Sequence, residues 1–322
     1  MKICLISFDH WQYDAHIVDT LLKRGIDAYH INIGKYQHPS KLSRLKNTLS
    51  KIFLGINPKL ELRQKFIISE LKKRGFQDQI LVINPELIDK GYHLKIKGYT
   101  KRYIAYLYDS LARHPIDNLM EGVFDDIYSF DKDDIESCNF KEANNYIYLN
   151  HTKYEDQHPN YDVCYLASFD KRISTMNRIA KKLEQLKKSY QFIIVGKKTW
   201  IKQLAKIGDN KSSIQYQIKR INHSEILNYY TNAKVILDLV RDNQAGLSFR
   251  IFEAMALEKK LITDNEKIKG YDFYNPNNIW VLNNDCNNLQ KEFFETPYQR
   301  VPEDIYYKYT LDSWVNNVFE LK

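Results

Sequence analysis

The sequence predicts an α/β protein of two domains, each a parallel sheet covered by helices. Three observations carry that prediction. Apolar strand-like runs alternate with amphipathic helical stretches, the alternation restarts after a polar segment at residues 150–160, and the chain is 322 residues long. That length is too great for one ordinary core and suits two of roughly 150 residues each.

The first series opens with residues 2–8, Lys-Ile-Cys-Leu-Ile-Ser-Phe, a run apolar enough for a buried strand. A helix from about Tyr13 to Arg24 and a strand over Asp27–Ile33 complete the start of a βαβ unit. Helical spacing of Phe66, Ile67 and Leu71 predicts a helix over Arg63–Arg74, and Gln79–Asn84, Tyr103–Tyr108 and Asp126–Phe130 read as further strands. Such strands belong to a parallel sheet with both faces covered.

The second series begins at Asp162-Val-Cys-Tyr-Leu-Ala-Ser-Phe-Asp170 and continues with a helix over Ser174–Lys188 and a strand Gln191–Val195 ending in Gly196. A helix Ser224–Thr231 and a strand Lys234–Leu239 follow. The domains are accordingly expected at residues 1–152 and 153–302, with a C-terminal helix over 303–322. That helix carries an apolar stripe of Leu311, Trp314, Val318 and Leu321, and the first domain is one place for it to dock. Two such domains in tandem would set the carboxyl ends of two parallel sheets across one cleft, where ligands bind.

Hydrophobic residues make up 43% of the chain, enough for both cores. No run of about 18 apolar residues is present, and the short amino-terminal strand lacks the pattern of a signal peptide, so a cytoplasmic protein is expected. Cys4, Cys138, Cys164 and Cys286 are scattered without the paired spacing of a zinc site and read as reduced and non-catalytic. The net charge of +8 is unevenly placed. Residues 35–102 hold sixteen Lys/Arg against five Asp/Glu, whereas residues 103–150 hold three against ten. The basic charge is therefore a local surface.

The stretch Gln244–Thr263 concentrates the signals of a ligand site. Gly246 allows main-chain N–H groups to approach a ligand, Leu247 follows it, and Ser248 is a good N-cap for the next helix. A helix start with free N–H groups and a favourable dipole suits phosphate. Glu253, further along the same helix, has the chemistry to accept hydrogen bonds from sugar hydroxyls. Phosphate plus ribose suggests a nucleotide.

With this stretch in place the chain resembles a GT-B glycosyltransferase, the class with two Rossmann-like domains that transfers sugars from nucleotide donors. The resemblance spans nearly the whole chain. Its strongest part is Gln244–Thr263, which resembles the Gly-Leu…Glu-Ala motif of bacterial enzymes that build lipopolysaccharide and capsule. The segments Asp264–Tyr274 and Phe124–Asp131 resemble the same group. It implies two Rossmann-like domains facing across a cleft, with the C-terminal helix packing back toward the N-terminal domain. It also implies a nucleotide-sugar donor, UDP-linked, as substrate, no separate cofactor or metal, and a lipopolysaccharide, capsular or lipid-linked saccharide as acceptor. In related retaining enzymes two glutamates separated by seven intervening residues bracket this loop, the second holding the donor ribose. Glu253 matches the second, and Ala245 stands where the first would fall.

Other candidates have a functional and a plain structural reading. Arg250 at the helix start suits a diphosphate, since a cation there opposes the helix dipole unless an anion is present. Gly196 with Lys197, and Arg172 beside Lys171, occupy strand ends where phosphates gather; positive charge there would stabilise a leaving nucleoside diphosphate. Solvated charge is the plain alternative. Asp9 and His10 follow the first strand, and Tyr108 and Asp109 close another. An inverting enzyme needs a general base, a role His10 oriented by Asp109 would fill, whereas a retaining enzyme needs none. The plain alternative is a capped turn at each strand end.

Asp131-Lys-Asp133 has the form of a metal-binding Asp-x-Asp, but in the setting of a two-domain pattern it reads as incidental. A basic amphipathic helix over Lys41–Leu54 suits either core packing or docking on an anionic membrane that carries a lipid-linked acceptor. Two competitors remain open at this level: a sugar-nucleotide epimerase with the same cleft, and a nucleic-acid-binding module. The basic residues form no recognisable nucleic-acid motif, so no nucleic-acid partner is expected.

Overall fold

The computed structural model describes residues 1–9, 12–36, 58–149, 159–199, 213–219, 221 and 223–321. The chain divides into two compact units, one of residues 1–144 with 311–322 and one of residues 145–310. The expected basic helix over Lys41–Leu54 lies outside the described residues.

The first unit holds β1 (Lys2–Ser7), α1 (Asp14–Lys23), β2 (Asp27–Asn32), α2 (Pro58–Arg74), β3 (Gln77–Ile83), α3 (Lys90–Lys97), β4 (Thr100–Leu107), β5 (Asp126–Ser129), α4 (Lys132–Cys138) and β6 (Lys141–Glu142). Its strands form one sheet in the order β2-β1-β3-β4-β5-β6, every pair parallel. β1 and β3 are central and almost wholly buried, each around an apolar run of four, Ile3–Ile6 and Ile80–Ile83, as strands covered on both faces must be. On one face Ile6, Ile80, Val82, Tyr103 and Ala105 pack with Ile67 and Leu71 of α2. A short 3-10 turn, Ile33–Lys35, follows β2, and a Cβ on Gly34 would collide with the Phe8 carbonyl beyond β1. Glycine thus lets the two strand ends close up.

The C-terminal segment is two helices rather than one, α8 (Glu303–Lys308) in the second unit and α9 (Leu311–Phe319) in the first. The Tyr309 carbonyl between them accepts the Ile147 N–H at 2.7 Å, which commits it outside any helix. α9 buries Leu311, Trp314, Val315, Val318 and Phe319. Its carboxyl end is held by Arg102, which donates to the Val318 carbonyl at 3.0 Å, and by Gln79, which donates to that of Phe319 at 2.9 Å.

The second unit adds β7 (Tyr161–Ser168), α5 (Ile173–Gln185), β8 (Tyr190–Val195), β9 (Ile214–Gln217), α6 (His223–Thr231), β10 (Ala233–Asp238), α7 (Phe249–Ala256), β11 (Lys260–Thr263) and β12 (Ile279–Val281). Its sheet runs β12-β11-β10-β7-β8-β9, again parallel throughout. One face packs Ile236 and Leu261 against Ile251, Phe252 and Met255 of α7, and the other packs Tyr165 and Ile194 against Met176, Ile179 and Leu183 of α5. The fold is therefore the expected pair of helix-covered parallel sheets with the last helix returned to the first unit. Among the described residues no helix is long and apolar enough to cross a membrane.

Candidate functional site

In the second unit the candidate residues gather where α7 begins, beyond the carboxyl end of β10. Asp238 ends that apolar strand as a carboxylate only 1% exposed. A charge so placed needs hydrogen bonds. Ser248 and Arg250 supply them: the serine hydroxyl donates to Asp238 Oδ1 at 2.8 Å and Arg250 Nε to the same oxygen at 2.7 Å. The expected serine cap thus has N-cap backbone angles, φ −72° and ψ 159°, but makes no side-chain cap. A buried carboxylate is a stronger acceptor for that hydroxyl than water, and it turns the side chain away from the helix N–H groups.

Arg250 also donates to the Leu166 carbonyl at 2.9 Å. Burial works against its charge, yet the Asp238 carboxylate outweighs it and holds the guanidinium's pKa above the ordinary value. Leu247 is fully buried, and its carbonyl accepts Asn145 Nδ2 at 2.8 Å. Gly246 is buried beside it, while a left-handed backbone in this loop falls at Asn243, φ 60°. Glu253 lies one turn into α7 at 1% exposure, and Oε1 accepts the Tyr148 hydroxyl.

The other strand ends are also occupied. Arg172 grips Asp170, Nη2 to Oδ2 at 2.6 Å with Nε between both oxygens, and Nη1 donates to the Leu239 carbonyl at 2.8 Å. It is buried, turned into the protein as a brace between the β7 and β10 ends. Gly196 has φ 152°, a backbone that favours glycine, and a Cβ there would meet Phe169 in ordinary contact at 3.4 Å. Lys197 follows it, exposed, in a short turn that Thr199 ties back to the Gly196 carbonyl at 2.6 Å. Asp264, beyond β11, accepts the Val240 N–H at 2.8 Å, and burial raises its pKa.

In the first unit His10 lies outside the described residues. Asp109, expected to orient it, pairs with Arg113 and stands 3.6 Å from His114 Nε2. Asp9 has a left-handed backbone, φ 42°, and its Oδ1 accepts the Asp14 N–H at 3.1 Å, the turn-capping role. Beside it is a buried polar group: Tyr108 donates to Asp14 at 2.6 Å, and Ser7 Oγ lies 2.8 Å from His30 Nε2. Burial pushes Asp14 up to about 7 and His30 down to about 4. In the Asp-x-Asp stretch, Asp131 accepts the Asp133 N–H at 3.1 Å as the cap of α4, and Asp134 accepts the Leu111 N–H at 2.8 Å. Among the described residues no group of three or more His, Cys, Asp or Glu is placed to hold a metal.

Sequence reasoning missed Asp238, Asp14, Asn145 and Tyr148. Asp238 had a signal, a lone charge closing the apolar run Val-Ile-Leu. Asn145 and Tyr148 had none, because their partners lie 102 and 105 residues away.

Residues 174–300 match the family described as glycosyl transferase-like. The matched segment contains α7 with Arg250 and Glu253, as well as Gly196 and Lys197, and begins two residues after Arg172. Over the whole chain the fold is that of the GT-B glycosyltransferases. The apo form of the lipopolysaccharide outer core galactosyltransferase WaaB superposes with TM-score 0.55 at 12% identity, with 99% of each chain covered. An alpha-glucosyltransferase in complex with UDP and a 13-mer DNA gives 0.59 at 14% identity, covering 99% of this chain and 95% of that one. UDP-GlcNAc 2-epimerase from Neisseria meningitidis, bound to UDP-GlcNAc, gives 0.56 at 11% identity, with 99% of each covered. At these identities the likeness is one of fold. No curated protein sequence matches the chain significantly.

Proposed function

We propose that the protein is a glycosyltransferase that moves a sugar from a UDP-linked donor to a lipopolysaccharide, capsular or lipid-linked saccharide. The observation that carries this reading is α7, whose Glu253 lies inside the segment that matches the glycosyl transferase-like family. The Ser248 hydroxyl is turned to Asp238 and makes no side-chain cap, and a diphosphate has the charge that suits the positive end of the helix dipole. Glu253 then takes the ribose, with Gly246, Leu247 and Ser248 shaping the approach. Lys197, exposed at the β8 end, offers charge to the leaving diphosphate. Arg250 and Arg172 contribute field and rigidity through Asp238 and Asp170. His10, with Asp109, is the base if the reaction inverts. The basic segment 41–54 suits a peripheral position on the cytoplasmic face of a membrane that holds the acceptor.

The epimerase reading keeps a place because the UDP-GlcNAc 2-epimerase superposes as well as the transferases do. Product analysis separates the two. UDP-sugar consumption that requires an added saccharide supports transfer, and isomerisation of UDP-sugar alone supports epimerisation. Calorimetric titration with UDP tests the site: Glu253→Gln is expected to weaken binding at least tenfold, the order of a lost charge-assisted hydrogen bond. Equal affinity in the two proteins would remove Glu253 from the site.

A further inference from the structure

Arg63 lies in the first half of α2 with its guanidinium over the Phe8 ring, 4.9 Å from the centroid. Phe8 directly follows β1, so the cation stands at the carboxyl edge of a central strand, the edge at which open α/β sheets take ligands. Its Nε is enclosed and meets no acceptor among the described residues. Its two Nη groups meet none there either, and they are open to solvent. Arg102, Arg172 and Arg250, all largely buried, each grip an aspartate, and Arg63 grips none. Burial lowers its pKa with no carboxylate to oppose the fall, yet a guanidinium keeps its proton at any ordinary pH. A cation partly removed from water calls for an anion. Asp9, beside Phe8, does not supply it: its carboxylate is turned to the Asp14 N–H and to Asn32.

A second cation shares the edge. The Gly34 turn after β2 comes so near the Phe8 carbonyl that a Cβ would lie 2.2 Å from it, which sets Lys35 beside the end of β1. Lys35 is exposed and, among the described residues, its ammonium pairs with no carboxylate. The Tyr36 ring next to it meets Phe66, centroids 5.6 Å apart, and Phe66 stands about one turn of α2 beyond Arg63. We propose that Arg63 and Lys35 form an oxyanion subsite in the first unit that takes a phosphate group, two of its oxygens on the Nη fork of Arg63 and a third toward Lys35. A carboxylate would spend both oxygens on the fork, whereas phosphate has oxygens for both cations. That the phosphate belongs to the saccharide acceptor rests on the glycosyltransferase reading; the subsite itself does not.

Calorimetric titration of the full chain with inorganic phosphate, UDP being kept in excess to fill the donor site, tests the subsite on wild type, Arg63→Gln, Arg63→Lys and Lys181→Gln. Arg63→Gln is expected to bind phosphate about tenfold more weakly, the order of a lost charge-assisted hydrogen bond. Arg63→Lys restores the charge without the fork and is expected to recover part of the loss. Lys181→Gln, an exposed change on α5, is expected to match wild type. The urea midpoint of Arg63→Gln is expected to hold, since no protein partner is lost. Equal phosphate binding by wild type and Arg63→Gln, or an equal loss in Lys181→Gln, overturns the subsite. Arg63→Met, which keeps the stem, repeats the comparison should Arg63→Gln fold poorly.

Glucose 6-phosphate and phosphatidylcholine vesicles containing phosphatidic acid then separate two carriers of the group. Weaker binding of the sugar phosphate by Arg63→Gln places the phosphate on the saccharide, and weaker binding of the vesicles places it on a lipid carrier. A loss with neither overturns its assignment to the acceptor. Sugar transfer from UDP-linked donors is read separately: an Arg63-dependent phosphate site in a protein that transfers no sugar supports the subsite and overturns the glycosyltransferase reading.

Discussion

Arg250 Nε and Asp238 Oδ1 lie 2.7 Å apart at the junction of β10 and α7, joining the end of a central strand to the first turn of the helix that carries Glu253. The same carboxylate oxygen takes the Ser248 hydroxyl, so these two side chains at the start of α7 share one buried acceptor. What looks in sequence like a free cation beside a helix start is a fixed part of the framework. Its charge still contributes to the local field, and its geometry is set before any ligand arrives.

Removing Asp238 would leave the half-buried Arg250 without its countercharge. Asp238→Ala is expected to lower unfolding stability by about 3–5 kcal/mol, the range for breaking a buried pair by deleting one partner. Urea unfolding checks it. A loss below 1 kcal/mol would mean that solvent reaches the guanidinium freely.

Asp14 and His30 give opposite pH dependences within one cluster. Burial raises the Asp14 pKa from 3.8 to about 7, with hydrogen bonds from Ser7 and Tyr108 working against the rise and Asp9 adding to it. The neutral acid is favoured in the fold, so its contribution is complete below about pH 4 and is lost as pH rises to about 7. Burial lowers the His30 pKa from 6.5 to about 4, with Lys35 adding to it. Here the neutral base is favoured, so its contribution is complete above about pH 6.5 and is lost as pH falls to about 4. The two slopes oppose each other between these limits. Relative to wild type, Asp14→Asn is expected to lose up to about 3 kcal/mol on acidification from pH 6.5 to 4, and His30→Asn up to about 3 kcal/mol on raising pH from 4 to 7. Urea midpoints across that range read both, and parallel pH curves for wild type and either variant would refute the assignment.

Trp314 anchors the returned C-terminal helix. It is buried, its ring meets Tyr106 edge-on at 5.1 Å, and Phe319 lies beyond it at 6.4 Å. Trp314→Ala is expected to cost about 3–5 kcal/mol, the range for deleting a large buried aromatic. Early protease cleavage near residue 310 would accompany release of α9. An unchanged unfolding midpoint would show that the helix contributes little to the first unit.

Much of the fold was legible because its signals are local. Apolar runs such as Ile-Cys-Leu-Ile and Phe-Ile-Ile-Val lie in central strands β1 and β8, and Phe66, Ile67 and Leu71 lie on a helix. The edge strands β6, β9 and β12 have two, four and three residues, too few for a period to show. The break at Tyr309–Thr310 was equally hidden, since the N–H that takes the Tyr309 carbonyl comes from Ile147.

By itself the sequence determined two helix-covered parallel sheets, the Gln244–Thr263 stretch as the likeness to a nucleotide-sugar site, and Ala245 where a second glutamate is expected. Periodicity, turn chemistry and motif spacing are properties of neighbouring residues. Only the tertiary structure decided what each polar side chain holds: Ser248 and Arg250 on Asp238, Arg172 on Asp170, Tyr108 on Asp14, Tyr148 on Glu253. Burial decides these pairings, because a charge removed from water takes the donor that folding brings to it, and for Glu253 that donor stands 105 residues away.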